Sequence, residues 1–210
     1  MAIVINEYQK SESPEIAIIG LHGWTGDEHS FMPMAKSVGI ENAKWFMPRA
    51  PYKTGEGRGF SWFSGSDGLG WKYEKTIKLM DELTEKVFND GFPPEKLYVI
   101  GFSMGAGLAI EVGIRMSIPI GGIIPIAGMV KFPDEIRKEA TTESRGTPIL
   151  ILHGKRDKIV PLKSSIDMVD LLKELNYCVG MEVYDAEHQI PMEAVELIRS
   201  FIKKHANLQV

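Results

Sequence analysis

The chain has one cysteine, Cys178, no tract of like charge and no hydrophobic run long enough to cross a bilayer. A lone cysteine excludes an intramolecular disulfide and suits a reducing, cytoplasmic setting. Within the strand-like run Asn-Tyr-Cys-Val-Gly-Met-Glu-Val, Cys178 reads as a small buried hydrophobe rather than a nucleophile. The longest uncharged apolar stretch, residues 118–130, is interrupted by Pro119, Pro125 and several glycines, and it falls short of the ~20 residues a spanning helix requires. Glu7 and Lys10 arrive too early for a secretion signal. Basic residues do not outnumber acidic ones, 24 against 28 for a formal net charge of −4. That balance argues against a nucleic-acid partner, which would call for a basic face. No repeat, low-complexity tract or linker divides the 210 residues, so a single domain over 1–210 is expected.

What is present is an alternation of short apolar runs and longer amphipathic ones. Residues 16–21, 44–47, 97–101, 120–127, 149–152 and 181–184 read as strands, several of them apolar on both faces. Residues 30–38, with Ser30 as N-cap, 73–88, 104–116, 162–175 and 195–202 read as helices. Strand and helix in alternation imply a mostly parallel sheet covered on both faces. Residues 48–71 break the pattern: glycines and the aromatics Tyr52, Phe60, Trp62, Phe63 and Trp71 occur there without a steady period. A loop of that length is usually functional. The glycines at 55, 57 and 59 follow no strand and open no helix, which excludes a phosphate loop.

Gly101-Phe102-Ser103-Met104-Gly105 is a G-x-S-x-G pentapeptide between a buried strand and an apolar helix. That setting is the one a nucleophile elbow requires. The sharp turn strains the serine backbone, and side chains two residues to either side would collide, which calls for glycine at 101 and 105. The helix beginning at Met104 aims free N–H groups at the reaction centre.

A serine hydroxyl needs a base to take its proton. Among the five histidines, His22 and His153 each precede glycine at a strand end, which favours packing; His29 sits at an exposed helix start, and His205 lies near the C-terminus. His188 alone occupies a loop between a strand and a helix, on the edge of the sheet where the elbow lies. Its imidazole requires a carboxylate partner. Asp157, also beyond a strand's carboxyl end, is preferred to Asp185, which shares the histidine's own loop. Two backbone donors should hold the developing oxyanion: the N–H of Met104 and that of Trp24 in Leu-His-Gly-Trp-Thr-Gly.

LHGWTGDEHSF, MPRAP, SWF, GFSMGAGLA, LHGKRDKIVP and AEHQIP succeed one another over nearly the whole chain. In these segments the sequence resembles the α/β-hydrolase superfamily, and within it the phospholipase/carboxylesterase group related to acyl-protein thioesterases. The resemblance implies Ser103, Asp157 and His188 as the triad and Trp24 and Met104 as oxyanion donors. Acyl-protein thioesterases commonly carry glutamine after the nucleophile; here it is Met104, which favours a general carboxylesterase. The sequence has no insertion large enough for a lid domain.

The expectation is therefore a serine carboxylesterase acting on a small-molecule ester of short to medium acyl chain, with no cofactor and no metal. Phe60, Trp62, Phe63, Trp71 and Met129 are expected to wall its pocket. A lysophospholipase or acyl-thioesterase with the same triad is the alternative, and a non-catalytic receptor on this fold is the alternative of another class. The assembly state stays open, a homodimer included.

Overall fold

Strands that are apolar at every position must be covered on both faces, and the chain solves this with helices above and below one sheet. The computed structural model describes residues 3–55, 57–66 and 68–207. Its main sheet has seven strands: β1 (Ile5–Gln9), β2 (Ile16–Leu21), β3 (Ala43–Pro48), then, after four short strands, β8 (Leu97–Phe102), β9 (Gly122–Ile126), β10 (Ile149–Gly154) and β11 (Val179–Tyr184). Their spatial order is β1-β3-β2-β8-β9-β10-β11. Only β1 runs antiparallel to its neighbour.

Side chains alternate across this sheet into two cores. On one face Ile16, Ile18, Tyr98 and Ile100 meet Phe31 and Met34 from α1 and its entry (α1, Met32–Val38), and Ile198 and Ile202 from α6 (Met192–His205). On the other, Ala17, Ile19, Val99 and Ile151 meet α2 (Glu74–Asn89), α3 (Met104–Ile114) and α5 (Leu162–Glu174) through Leu83, Ile110 and Leu172. A further short helix, α4 (Pro133–Glu139), adds buried Ile136 to that core. Among the described residues no helix is long and apolar enough to cross a membrane.

The chain runs from β2 outward to β3 and then returns to lay β8 on β2's other side. Such a reversal leaves a crevice at the strands' carboxyl ends, where the connections part to opposite sides. The loop after β2 and the turn after β8 both open there.

Several expectations need correction. Ser30 does not cap α1. Phe31 holds the cap position without a side-chain bond, and Ser30 Oγ instead accepts the Asp27 N–H (2.9 Å) and donates to Asp27 Oδ1 (3.1 Å). Cys178 is exposed and stands just before β11 rather than buried within a strand. The region 48–71 is not without regular structure. It folds into two small hairpins, β4 (Tyr52–Lys53) with β5 (Phe60–Ser61), and β6 (Ser64–Ser66) with β7 (Gly70–Lys72).

Candidate active site

The turn after β8 is held by backbone, and its tightness explains its glycines. Ser103 adopts φ 55° and ψ −115°, a strained conformation for a residue with a Cβ. Its N–H donates to the Ile126 carbonyl at 2.8 Å, tying the elbow to the neighbouring strand. A Cβ at Gly101 would lie 2.0 Å from the Gly105 oxygen, and one at Gly105 would lie 2.2 Å from the Leu21 oxygen. Any side chain at either position would push the elbow off the sheet.

Three of the expected residues converge at this point. His188 Nε2 lies 3.1 Å from Ser103 Oγ, and His188 Nδ1 lies 2.6 Å from Asp157 Oδ2. The other oxygen of Asp157 accepts the N–H groups of Ile159 (2.8 Å) and Val160 (2.9 Å). Burial alone would raise the Asp157 pKa, but the hydrogen bonds from His188, Val160 and Ile159 outweigh it and hold the carboxyl below its ordinary value. Its side chain is fully buried, so Asp157 is no surface turn residue. Asp185 stays outside, paired with Arg156 at 3.0 Å on the surface.

His22 and His153 are both buried, as packing residues should be. His22 Nδ1 donates to the Gly23 carbonyl at 2.7 Å and Nε2 accepts the Ala50 N–H at 3.2 Å, which specifies a neutral ring. Burial lowers its pKa further toward that form. His153 bridges Ser165 Oγ and the Val160 carbonyl, and its Nε2 comes within 3.6 Å of Asp157 Oδ2. It backs the carboxylate, a role its place before Gly154 did not disclose.

The Trp24 N–H belongs to the loop after β2, and the Met104 N–H opens α3 directly after Ser103. Among the described residues neither meets a protein acceptor. The loop carrying Trp24 is braced by the first small hairpin. Thr25 N–H donates to the Phe60 carbonyl at 3.0 Å and Phe60 N–H to the Gly26 carbonyl at 2.9 Å. Gly59, at φ 68°, permits this contact, because a Cβ there would stand 1.8 Å from the Thr25 oxygen. Glu28 lies inside the same loop, and its carboxylate receives Nε of Arg49 at 2.6 Å and a second bond from Nη2. Those hydrogen bonds hold the Glu28 pKa down.

The pocket expectation fares differently. Trp62 is fully buried, donates Nε1–H to the His22 carbonyl at 2.7 Å and lies against the His22 ring at 4.7 Å. Phe63 is buried against Phe132 and Tyr73. Phe60 lies under the Arg49 guanidinium and Trp71 under the Lys131 ammonium. Met129 is half-exposed. None of these five lines the cleft that opens beside Ser103. That cleft, about 550 Å³, is walled by Trp24, Phe31, Met34, Phe102, His188 and Ile190, together with smaller groups. Phe102 also packs against the His188 ring at 4.7 Å. The available signal was sequence adjacency: Phe102 precedes the nucleophile candidate and Ile190 comes two residues after the histidine. A second hollow of about 420 Å³, between α2 and the end of α3, contains none of Ser103, Asp157 or His188.

The sequence pattern of the phospholipase/carboxylesterase family matches residues 3–206. Carboxylesterase SOBER1 of Arabidopsis thaliana is 26% identical over 203 residues, covering 89% of both chains. Acyl-protein thioesterase 1 of Gibberella zeae is 26% identical over 204 residues, covering 87% of this chain and 84% of its own. In three dimensions the crystal structure of esterase PE8 superposes with a TM-score of 0.85 at 20% identity, over 97% of this chain and 99% of that one. The fold is the α/β-hydrolase fold, without a large cap. With its matched pattern running almost from end to end, the chain belongs to the phospholipase/carboxylesterase family.

Proposed function

We propose that the protein is a serine hydrolase of carboxylic esters that works through an acyl-enzyme on Ser103. The observation that carries this reading is the unbroken chain of contacts from Ser103 Oγ through His188 to Asp157. His188 Nε2 takes the hydroxyl proton as Oγ attacks the ester carbonyl carbon. Asp157 accepts the Nδ1–H, which fixes the tautomer that leaves Nε2 free and stabilises the imidazolium once formed. The N–H groups of Trp24 and Met104 receive the negative charge that builds on the carbonyl oxygen. The proton then passes from Nε2 to the departing alcohol, and water repeats the sequence to free the acid.

Short to medium acyl chains, about four to eight carbons, are the expected substrates, since an uncapped site offers a groove rather than a deep tunnel. A relative named acyl-protein thioesterase keeps the thioester alternative in view, while Met104 after the nucleophile favours the plain ester. The single cysteine suits a reducing compartment, and we place the enzyme in the cytoplasm. A fluorophosphonate should label the protein once, at Ser103, and Ser103→Ala should lose at least ~10⁴-fold in kcat. Labelling elsewhere, or full activity in the alanine variant, overturns the assignment.

A further inference from the structure

The cleft beside Ser103 lies on a defined side of the reacting atoms. Gly23 lines it and abuts the nucleophile: a Cβ there would stand 3.4 Å from Ser103 Cβ. His188, Gln189 and Ile190 line it in one continuous stretch of chain, and Trp24, Thr25, Phe31, Met34 and Phe102 line the rest together with smaller groups. Apart from His188 none of the lining side chains is ionisable, and the apolar ones dominate by size.

The proton inventory of the reaction assigns this side. In acylation the Ser103 Oγ–acyl carbon bond forms and the acyl carbon–alcohol oxygen bond breaks. The electron pair stays with the alcohol oxygen, which takes the proton from His188 Nε2. The imidazole that reaches Oγ must then reach the leaving oxygen without moving far. The leaving oxygen therefore sits on the flank of His188, and its substituent extends along the wall that continues from His188 into Gln189 and Ile190. The acyl chain must take a different direction from the same carbon.

We infer that this cleft holds the alcohol half of the ester, recognising a branched or cyclic carbon skeleton by burial against Trp24, Phe102, Met34 and Ile190. The inference rests on the serine-esterase reading above. Trp24 is 63% exposed, so a buried alcohol skeleton would cover an indole face that water now covers. Its gain follows apolar area rather than paired charges.

The experiment separates the two halves of the substrate. One series holds the acyl group as butyryl and varies the alcohol from methyl to cyclohexyl; the other holds methyl and varies the acyl chain from acetyl to octanoyl. Ile190→Trp, which fills the cleft, should lower kcat/KM for cyclohexyl butyrate at least ~10-fold relative to methyl butyrate. Ile190→Ala should shift the same ratio the other way, and the acyl profile should keep its maximum in both variants. Hydrolysis of the butyryl-enzyme, from which the alcohol has already departed, should change by less than ~2-fold. A shifted acyl profile with an unchanged alcohol profile makes the cleft the acyl site and overturns the inference. An unchanged pair of profiles overturns it as well, by removing the cleft from the site. A parent enzyme that shows no burst of alcohol and no label at Ser103 instead brings down the serine mechanism itself, an outcome distinct from either of these.

Discussion

Two carboxylates are equally withdrawn from water, yet the chain treats them in opposite ways. The side chain of Asp157, just beyond β10, is 0% exposed, and that of Glu111, well inside α3, is 2% exposed. Asp157 has a donor for each oxygen, and its pKa lies below the usual value in spite of burial. Glu111 receives Arg115 at 3.3 Å on one oxygen, while among the described residues its Oε1 meets no hydrogen-bond partner. Burial pushes its carboxyl up to about 7, against the pull of Arg115, and Glu139 and Glu135 add their repulsion. Depth is therefore not what decides charge; the supply of N–H donors is. The carboxyl edge of the sheet exposes loop N–H groups that no strand consumes. Within a helix those groups are already bonded along the backbone, so a buried carboxylate must find side chains.

The strongest way to break this contrast is to remove the charge that the edge was built to hold. Asp157→Asn keeps the shape and the Ile159 and Val160 bonds but presents an amide to His188 Nδ1. The ring can then adopt the tautomer with Nε2 protonated, which cannot accept the serine proton. An unchanged thermal midpoint with a ~10³–10⁴-fold fall in kcat is expected. Loss of folding with activity per folded molecule unchanged would make Asp157 a structural group only.

Glu111 offers the second break, in stability rather than rate. Its folded pKa of about 7 lies above the ordinary carboxyl value of 4.5, so the folded state binds the proton more tightly than the unfolded chain does. Below about pH 4.5 both states are protonated and the residue costs nothing by this route. As pH rises from there toward 7 the unfolded chain releases its proton first, and stability falls until the folded group also ionises. Glu111→Gln removes that penalty. By urea denaturation the variant should exceed the parent by about 3 kcal/mol at pH 8 and match it near pH 4. Arg115 retains Glu139 and the Glu111 carbonyl as partners. A constant difference across that pH range would show that the effect is one of packing.

The carboxylate at the edge could be read from the sequence, and the one in the helix could not be given its chemistry. Ser103, Asp157 and His188 each come after an apolar strand run, and parallel strands deliver the residues beyond their carboxyl ends to one edge. The structure brings Ser103 and Asp157 each within hydrogen-bonding distance of His188. Glu111 looks like any glutamate in a helix until the packing of α3 against β8 and β9 is known. The strand β1 was equally opaque. Its residues Asn6, Glu7 and Tyr8 interrupt any apolar run, as an antiparallel edge strand allows. Trp62 was opaque for a related reason: an aromatic at a ligand and an aromatic in a core give the same local signal, and this one is fully buried. Trp62 is placed by the carbonyl of His22, forty positions away, and no local pattern carries that information. Its work is to brace the loop that bears Trp24.

The smallest effect expected is at the third carboxylate, and it sharpens the comparison from the exposed side. Asp185 lies three residues before His188 and was the competing candidate for its partner. Its side chain is 75% exposed and its ion pair with Arg156, 60% exposed, spans 3.0 Å. An exposed pair gains little, because water already solvates both charges and ordering two side chains costs entropy. Asp185→Asn should therefore change stability by no more than ~0.5 kcal/mol and leave kcat/KM within ~2-fold. The double change with Asp157→Asn should equal Asp157→Asn alone, since two sites that share no partner act additively and one of them contributes almost nothing. If the double variant instead loses a further ~10-fold or more, Asp185 swings in to serve His188 when Asp157 cannot, a coupling that additive sites do not show. That result would mean the donor-rich edge holds two carboxylates in competition for one imidazole, with the Arg156 pair keeping the second in reserve.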